Sequence, residues 1–288
     1  MKEEELLSKL KEYMIPKIRK HPIKGRPYTI SNETIIEGIY HVLKNGVTWR
    51  IASKLVSGRY SLTSSLNRIY NDLVNDGVIT DVFNEVINEY KNKNIITDVL
   101  MDSMDILNGN CNKNEVYQSY KLHKQAGRLS IASTTDRIPI GYRTDPARRN
   151  DYDLGYQLAK ELHIDDGEIH NLVGDGGYRM NKDKKDDLLK NHKLRLIVPK
   201  GTKNRRKRKP TQKPKQKPKR KRAKKRIRYS KQMKDALKKR IRIEHVNNIL
   251  HRSFKRLHTI YDKSLKTFNR FVELAIICMI IRSGKLNK

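Results

Sequence analysis

The sequence predicts an α/β fold preceded by a helical domain, and three features of the chain point to it. Apolar residues recur at helical spacing through positions 1–92. Short apolar or alternating runs separated by turn residues take over from Ile95, and helical stretches intervene between those runs.

In the first part, Ile35, Ile39, Val42 and Leu43 form one helical stripe that stops at Asn45-Gly46, a natural C-terminal cap. A second helix begins near Trp49. Leu62, Leu66, Ile69 and Leu73 mark a third, ended by Asp76-Gly77, and Val82 to Tyr90 a fourth. Together they read as a compact helix-turn-helix-like unit with no strand pattern. Beyond it, residues 95–106 read as a strand, 128–134 and 138–142 as a hairpin around Asp136-Arg137, Leu172-Val173 as a strand running into Asp175-Gly176-Gly177, and 194–198 as a last strand. Helices are expected at 152–162 and 181–190. After the low-complexity stretch 200–228, one long helix is expected to carry Val246, Ile249, Leu250, Phe254, Leu257 and Tyr261, with a nearly all-apolar helix over 268–281 behind it. These two helices would close the core against the sheet. The resulting domain plan is a helical domain over 1–92, the first part of an α/β core over 93–199, a basic disordered insertion over 200–228, and C-terminal helices over 229–288 that complete the core.

A chain of 288 residues buries enough apolar surface to fold without disulfide or metal staples. Its two cysteines, Cys111 and Cys278, have no partner at CxxC spacing, which argues against a disulfide framework or zinc ribbon and for a reducing compartment. The N-terminus lacks an apolar leader core, and the run from Leu274 to Ile281 is too short to span a bilayer, so a soluble intracellular protein without membrane association is expected. The net charge of +33 points to a polyanion, nucleic acid first. Segment 200–228 is rich in Lys and Arg and has no acid, yet the remainder without it is still net positive. That segment serves equally well as a phosphate-neutralising arm or as a solvated linker.

In so basic a chain, carboxylates at strand ends or on a core-facing helix stand out, because hard divalent cations need oxygen ligands and phosphodiester chemistry commonly uses a metal pair. Asp102 ends the apolar run Val99-Leu100-Met101, although a strand-end acid can equally cap a backbone group. Asp98 shares its face by strand alternation, and Asp105 points the other way. Asp175 follows Leu172-Val173 and is flanked by glycines, which also suits an ordinary Asp-Gly turn. Glu244 lies one turn after Arg240 on a helix face shared with Asn248 and His251, and by itself that pair is a surface contact of about 0.3–0.5 kcal/mol.

Taken in order, these segments resemble the DDE transposases of bacterial insertion sequences, in the group with a C-terminal Arg-x-x-x-Glu helix. Asp102-Ser103 matches the family's Asp-Ser/Gly-Thr, with Met104 where a hydroxyl residue is usual. Asp175-Gly176-Gly177-Tyr178 matches Asp-x-Gly-Tyr, and Arg240 and Glu244 match the helix motif. Phe254-Lys255-Arg256-Leu257 matches the family's basic-aromatic stretch after that helix, and Tyr261-Asp262-Lys263 its Tyr-Asp-Lys. Upstream, Gly25-Arg26-Pro27 and Asn45-Gly46-Val47-Thr48-Trp49-Arg50 look like the family's helical domain, and Ile138-Pro139-Ile140 and Asn150-Asp151 resemble its middle strands and the acid that follows them. The fuller signature has Tyr three residues before the Arg and Lys seven after the Glu, where this chain has Leu237 and His251.

The resemblance implies an RNase H-like mixed sheet flanked by helices. It implies catalytic, metal-holding roles for Asp102, Asp175 and Glu244, and two Mg²⁺ or Mn²⁺ ions. It also implies cleavage and strand transfer at the ends of a mobile element, and a homodimer on double-stranded DNA. DNA contacts are expected at Arg240, His251, Lys255 and Arg256 and, in the helical domain, at Trp49, Arg50 and Arg68, the last within a recognition helix over 61–73. The alternatives are an inactive relative retained as a DNA-binding protein and a structure-specific nuclease with the same core. The compartment would be the bacterial cytoplasm and nucleoid, or the nucleus or a viral factory in a eukaryotic host.

Overall fold

The computed structural model describes residues 1–18, 28–147, 150–162, 164, 168–199 and 230–286. Gly25-Arg26-Pro27 and the basic segment 200–228 lie outside the described residues.

The N-terminal part consists of α1 (Glu3–Met14), α2 (Asn32–Asn45), α3 (Trp49–Ser57), α4 (Thr63–Asn75) and α5 (Val78–Lys93). Their limits follow from capping chemistry. Ser31 accepts the Thr34 N–H at the start of α2, and Thr48 accepts that of Ile51 at the start of α3. Gly46 ends α2 with φ of 64°, and a Cβ there would lie 3.0 Å from the Lys255 Cβ. The position thus needs glycine both for its backbone angle and for the close approach of the C-terminal segment.

The sheet starts with β1 (Asp98–Asn108), β2 (Tyr117–Gln118), β3 (Gln125–Thr134) and β4 (Pro139–Pro146). After α6 (Asp151–Glu161) come β5 (His170–Val173), α7 (Lys182–His192) and β6 (Leu194–Ile197). The strand order is β2-β3-β1-β5-β6, with β4 on β3 and a short β7 (Thr259–Ile260) on the far end of β1. β1 pairs antiparallel with β3 and parallel with β5 and β7, and β5 is parallel to β6. The expected mixed sheet flanked by helices is therefore present, with β1 at its centre. The expected start at Ile95 moves inward to Asp98, and Ile95 itself is exposed.

The C-terminal part contains α8 (Lys231–Lys239), α9 (Ile241–Ser253) and α10 (Leu265–Arg282). The single long helix expected through Tyr261 does not form. Phe254 leaves helical geometry at φ −129°, ψ 84°, and a short turn over Lys255–His258 feeds β7, which pairs with Leu107 and Asn108. Phe254 and Leu257 are buried as their apolar character requires, but off the helix, and Tyr261 is exposed.

Helix α10 is buried from Phe271 to Ile281 and packs on α5, α1 and α4 on one side and on β4 on the other, so one apolar cluster runs through both parts of the chain. Its one buried acid, Glu273, is 3% exposed. Burial raises its carboxyl above the usual range, and Arg270, Tyr142 and Thr80 oppose that by donating to it. This polar knot joins α5, β4 and α10. Among the described residues no helix is long and apolar enough to cross a membrane.

Candidate active site

Strand register places two of the expected acids side by side. Leu100 pairs with Val173 where β5 ends, and Asp102 and Asp175 each lie two residues further along their chains. Asp175 leaves the strand by capping a short turn, its Oδ1 accepting the Gly177 N–H at 2.7 Å. Tyr178, at the end of that turn, explains the glycines around it. A Cβ on Gly155 would fall 2.4 Å from the Tyr178 ring, and one on Gly174 2.9 Å from it. The buried ring is thus seated against two positions without side chains, while its hydroxyl shares a 2.6 Å hydrogen bond with Ser103 of β1. The Asp-x-Gly-Tyr segment works as a latch that fixes the Asp175 loop to β1 and α6.

Helix α9 supplies the third acid. It packs on β1, and Glu244 is half exposed with Oε1 3.2 Å from Arg240 Nη2. Three residues on, Asn247 donates from Nδ2 to Asp102 Oδ2 at 2.9 Å, while its own Oδ1 is buried without a partner. Burial lifts the Asp102 carboxyl above its ordinary range. The negative charges of Asp175 and Glu244 push the same way, against the Ser103 amide and Arg240. Asp102 thus feels the charge of both other acids.

The other acids of β1 are occupied elsewhere. Asp98 is buried between Asn171 and Lys239 of α8. Asp105, on the face opposite Asp102, accepts from Arg128 Nε at 2.7 Å and Ser119 Oγ at 2.5 Å, and Arg128 also reaches Asp151. Of Asp98, Asp102 and Asp105, Asp102 is the one turned towards α9, through Asn247. Asp151 adds a fourth acid at the rim, its Oδ2 and the Asp175 Oδ1 each 3.0 Å from where a Gly177 Cβ would stand. Asn247 and Asp151 are given no catalytic place by the sequence. Asn247 was recoverable from its spacing, because a residue three after Glu244 lies on the same helix face.

The expected DNA contacts divide into two kinds. Arg50, Lys255 and Arg68 are exposed. Arg50 lies over the Tyr60 ring at 4.8 Å with Lys54 on the same ring, and Arg68 lies over Tyr28 at 6.0 Å. Trp49 and Arg256 instead face inward. Trp49 packs against Tyr70 and Phe271, and Arg256, 8% exposed, pairs with Asp262 at 2.8 Å and covers the Phe271 ring. A basic-aromatic run does not reveal which side chain turns inward; here the guanidinium serves the fold. His251 stacks on His258 with ring centres 4.0 Å apart, and burial together with that neighbour lowers its pKa. Both effects favour the uncharged imidazole, where the family's fuller signature has a lysine.

The donor chemistry of Asp102, Asp175 and Glu244 fits hard divalent cations, and the buried orphan oxygen of Asn247 offers an acceptor beside Asp102 for an ion's water shell. Among the described residues, no three Asp, Glu, His or Cys side chains are drawn closely enough together to hold an ion. Asp102 feels the charges of Asp175 and Glu244, but the three carboxylates do not converge on one point.

The chain matches the family model for the transposase DDE domain over residues 93–281, well over half its length, and belongs to that family of DNA-cleaving transposases. Enzymes of this family generally depend on divalent metal. A solved piggyBac transposase, in a synaptic complex with hairpin DNA, is similar in fold, with a TM-score of 0.53 at 15% identity, covering 98% of this chain and 73% of that one. No curated protein matches the chain.

Proposed function

We propose that this chain cleaves double-stranded DNA at the ends of a mobile element and joins the freed strand to a target, with Asp102, Asp175 and Glu244 as the reacting-site carboxylates. The observation that carries this reading is geometric: strand register sets Asp102 beside Asp175 at adjacent strand ends, and α9, which bears Glu244, packs on β1 and reaches Asp102 through Asn247. Two divalent ions, Mg²⁺ or Mn²⁺, would supply charge neutralisation and activation of the attacking oxygen. Within the chain, Asn247 orients Asp102, the Tyr178 latch sets the Asp175 loop, and Arg240 holds Glu244 on its helix face.

DNA binding rests on the exposed cations Arg50, Lys54, Arg68 and Lys255 and on the net charge of +33. The helical domain over 1–92 would carry sequence readout through α4, whose exposed face includes Ser64, Asn67 and Arg68. A homodimer on DNA brings two ends together. The test substitutes Asp102→Asn, Asp175→Asn and Glu244→Gln separately. Each is expected to abolish Mg²⁺-dependent nicking of element-end DNA while DNA affinity is retained. Nicking that survives any one substitution removes that residue from the site, and tight binding by wild type without nicking would leave a DNA-binding protein.

A further inference from the structure

The connection between β1 and β3 displays a row of side chains that neither the core nor the acids explain. From Tyr120 to Gln125 every residue is exposed, with Tyr120 at 90% and Leu122 at 37%, flanked by Lys121, His123 and Lys124. Tyr117 and Lys113 extend the same surface around a cavity of about 510 Å³. Lys113, Lys121 and Lys124 make no ion pair with the described residues. The one acid of the connection, Glu115, turns away to accept the Leu265 N–H at 2.6 Å. Six residues that project large side chains into water would ordinarily collapse or vary in conformation. This turn is held from beneath.

Its anchor is Ser119, fully buried. The Ser119 hydroxyl donates to Asp105 and accepts the Lys121 and Leu122 N–H groups, while its backbone bonds Lys124 and His123. His123 takes up a left-handed φ of 52° to close the turn. The anchor is shared with the site: Asp105 is bound to Arg128, which is bound to Asp151 beside Asp175. Asp105 itself lies three residues from Asp102 on β1, about 10 Å along the strand and on its other face.

An exposed ring interleaved with exposed lysines that form no close ion pair suits an unpaired nucleic-acid strand, whose bases stack on aromatic faces while lysines take its phosphates. A duplex has its bases covered and would use the lysines alone. We propose that residues 113–124 form a strand-holding loop that binds unpaired nucleotides adjoining the cleavage site, with Tyr120 as the stacking platform and Lys121 and Lys124 on the phosphates. The proposal rests on the transposase reading and names a further surface for it.

The test measures binding of the full chain, without divalent metal, to a short blunt duplex and to the same duplex with an unpaired tail carrying a fluorescent base analogue. Tyr120→Ala is expected to weaken tailed-DNA binding on the order of ten-fold, to remove the quenching of the analogue, and to leave blunt-duplex affinity unchanged. Tyr120→Trp should restore the quenching. Lys121→Ala with Lys124→Ala should reduce the salt slope for tailed DNA by about 1.4. Tyr120→Ala binding both DNAs as wild type does, or the lysine pair altering only the oligomeric state, overturns the proposal. Wild type binding neither DNA defeats the transposase reading as well, so the two failures are separable.

Discussion

Asn247 reaches across from α9 to donate to the Asp102 carboxylate at 2.9 Å, so the helix that carries Glu244 also fixes the acid on the central strand. Replacing it with Leu removes the donor and the neighbouring oxygen while keeping volume. We expect Asn247→Leu to lower the single-turnover nicking rate and the Mn²⁺ affinity by about 10–100-fold, with DNA binding unchanged. Unaltered metal affinity, read by titration of the paramagnetic ion, would count against this role.

Asp102 gives a second, thermodynamic handle. Burial, Asp175 and Glu244 all raise its pKa, so its ionised form costs the folded protein stability at neutral pH, and that cost disappears as pH falls and the carboxyl protonates. Asp102→Asn is therefore expected to raise the thermal midpoint of the metal-free protein by about 2–4 °C per kcal/mol relieved. Added Mg²⁺ should raise the wild-type midpoint with concentration and leave the variant's in place. A metal-free variant less stable than wild type would contradict the assignment.

Asp105 behaves in the opposite sense. Burial disfavours its charge, but the hydrogen bonds from Arg128 and Ser119 and the Arg128 charge win, so its pKa is lowered. Its contribution is present above the ordinary carboxylate pKa and is lost as pH falls below that value. Asp105→Asn, which removes one of the two carboxylates on the partly buried Arg128 guanidinium, should cost about 1–3 kcal/mol at pH 7, with the deficit shrinking towards pH 3 in denaturant titrations. A pH-independent deficit would exclude ionisation as its source.

The elements legible in the sequence were those whose signal is local. Ser31 and Gly46 cap α2, Asp76-Gly77 separates α4 from α5, and period-two runs give β1, β3 and β4. What escaped was fixed by distant partners. Two-residue strands such as β2 and β7 have no periodicity of their own, and β7 exists only because β1 presents Leu107 and Asn108 to it. The same holds for α9, ended at Ser253 by that pairing. Around the site, the order of Asp102, Asp175 and Glu244 was readable, whereas the inward turn of Arg256 and Trp49 depends on Phe271, far away in the chain.

That inward turn separates two adjacent residues. Trp49→Ala should lower stability by about 3 kcal/mol through lost ring packing, and any loss of DNA affinity should track the unfolded fraction. Arg50→Ala should leave the melting curve in place and weaken DNA binding with a salt slope smaller by about 0.9. Equal effects of the two substitutions on both measurements would undo the distinction.

Helix α10 is walled by α1, α4 and α5 of the N-terminal part and by β4 of the sheet, so the helical part that displays Arg50 and the sheet that displays Asp102 share one packed apolar cluster. A duplex in contact with both has a fixed span to cover. Any curvature needed to bridge it must come from the nucleic acid, and sequences that kink cheaply in the intervening base steps would hold an advantage that no side chain reads directly.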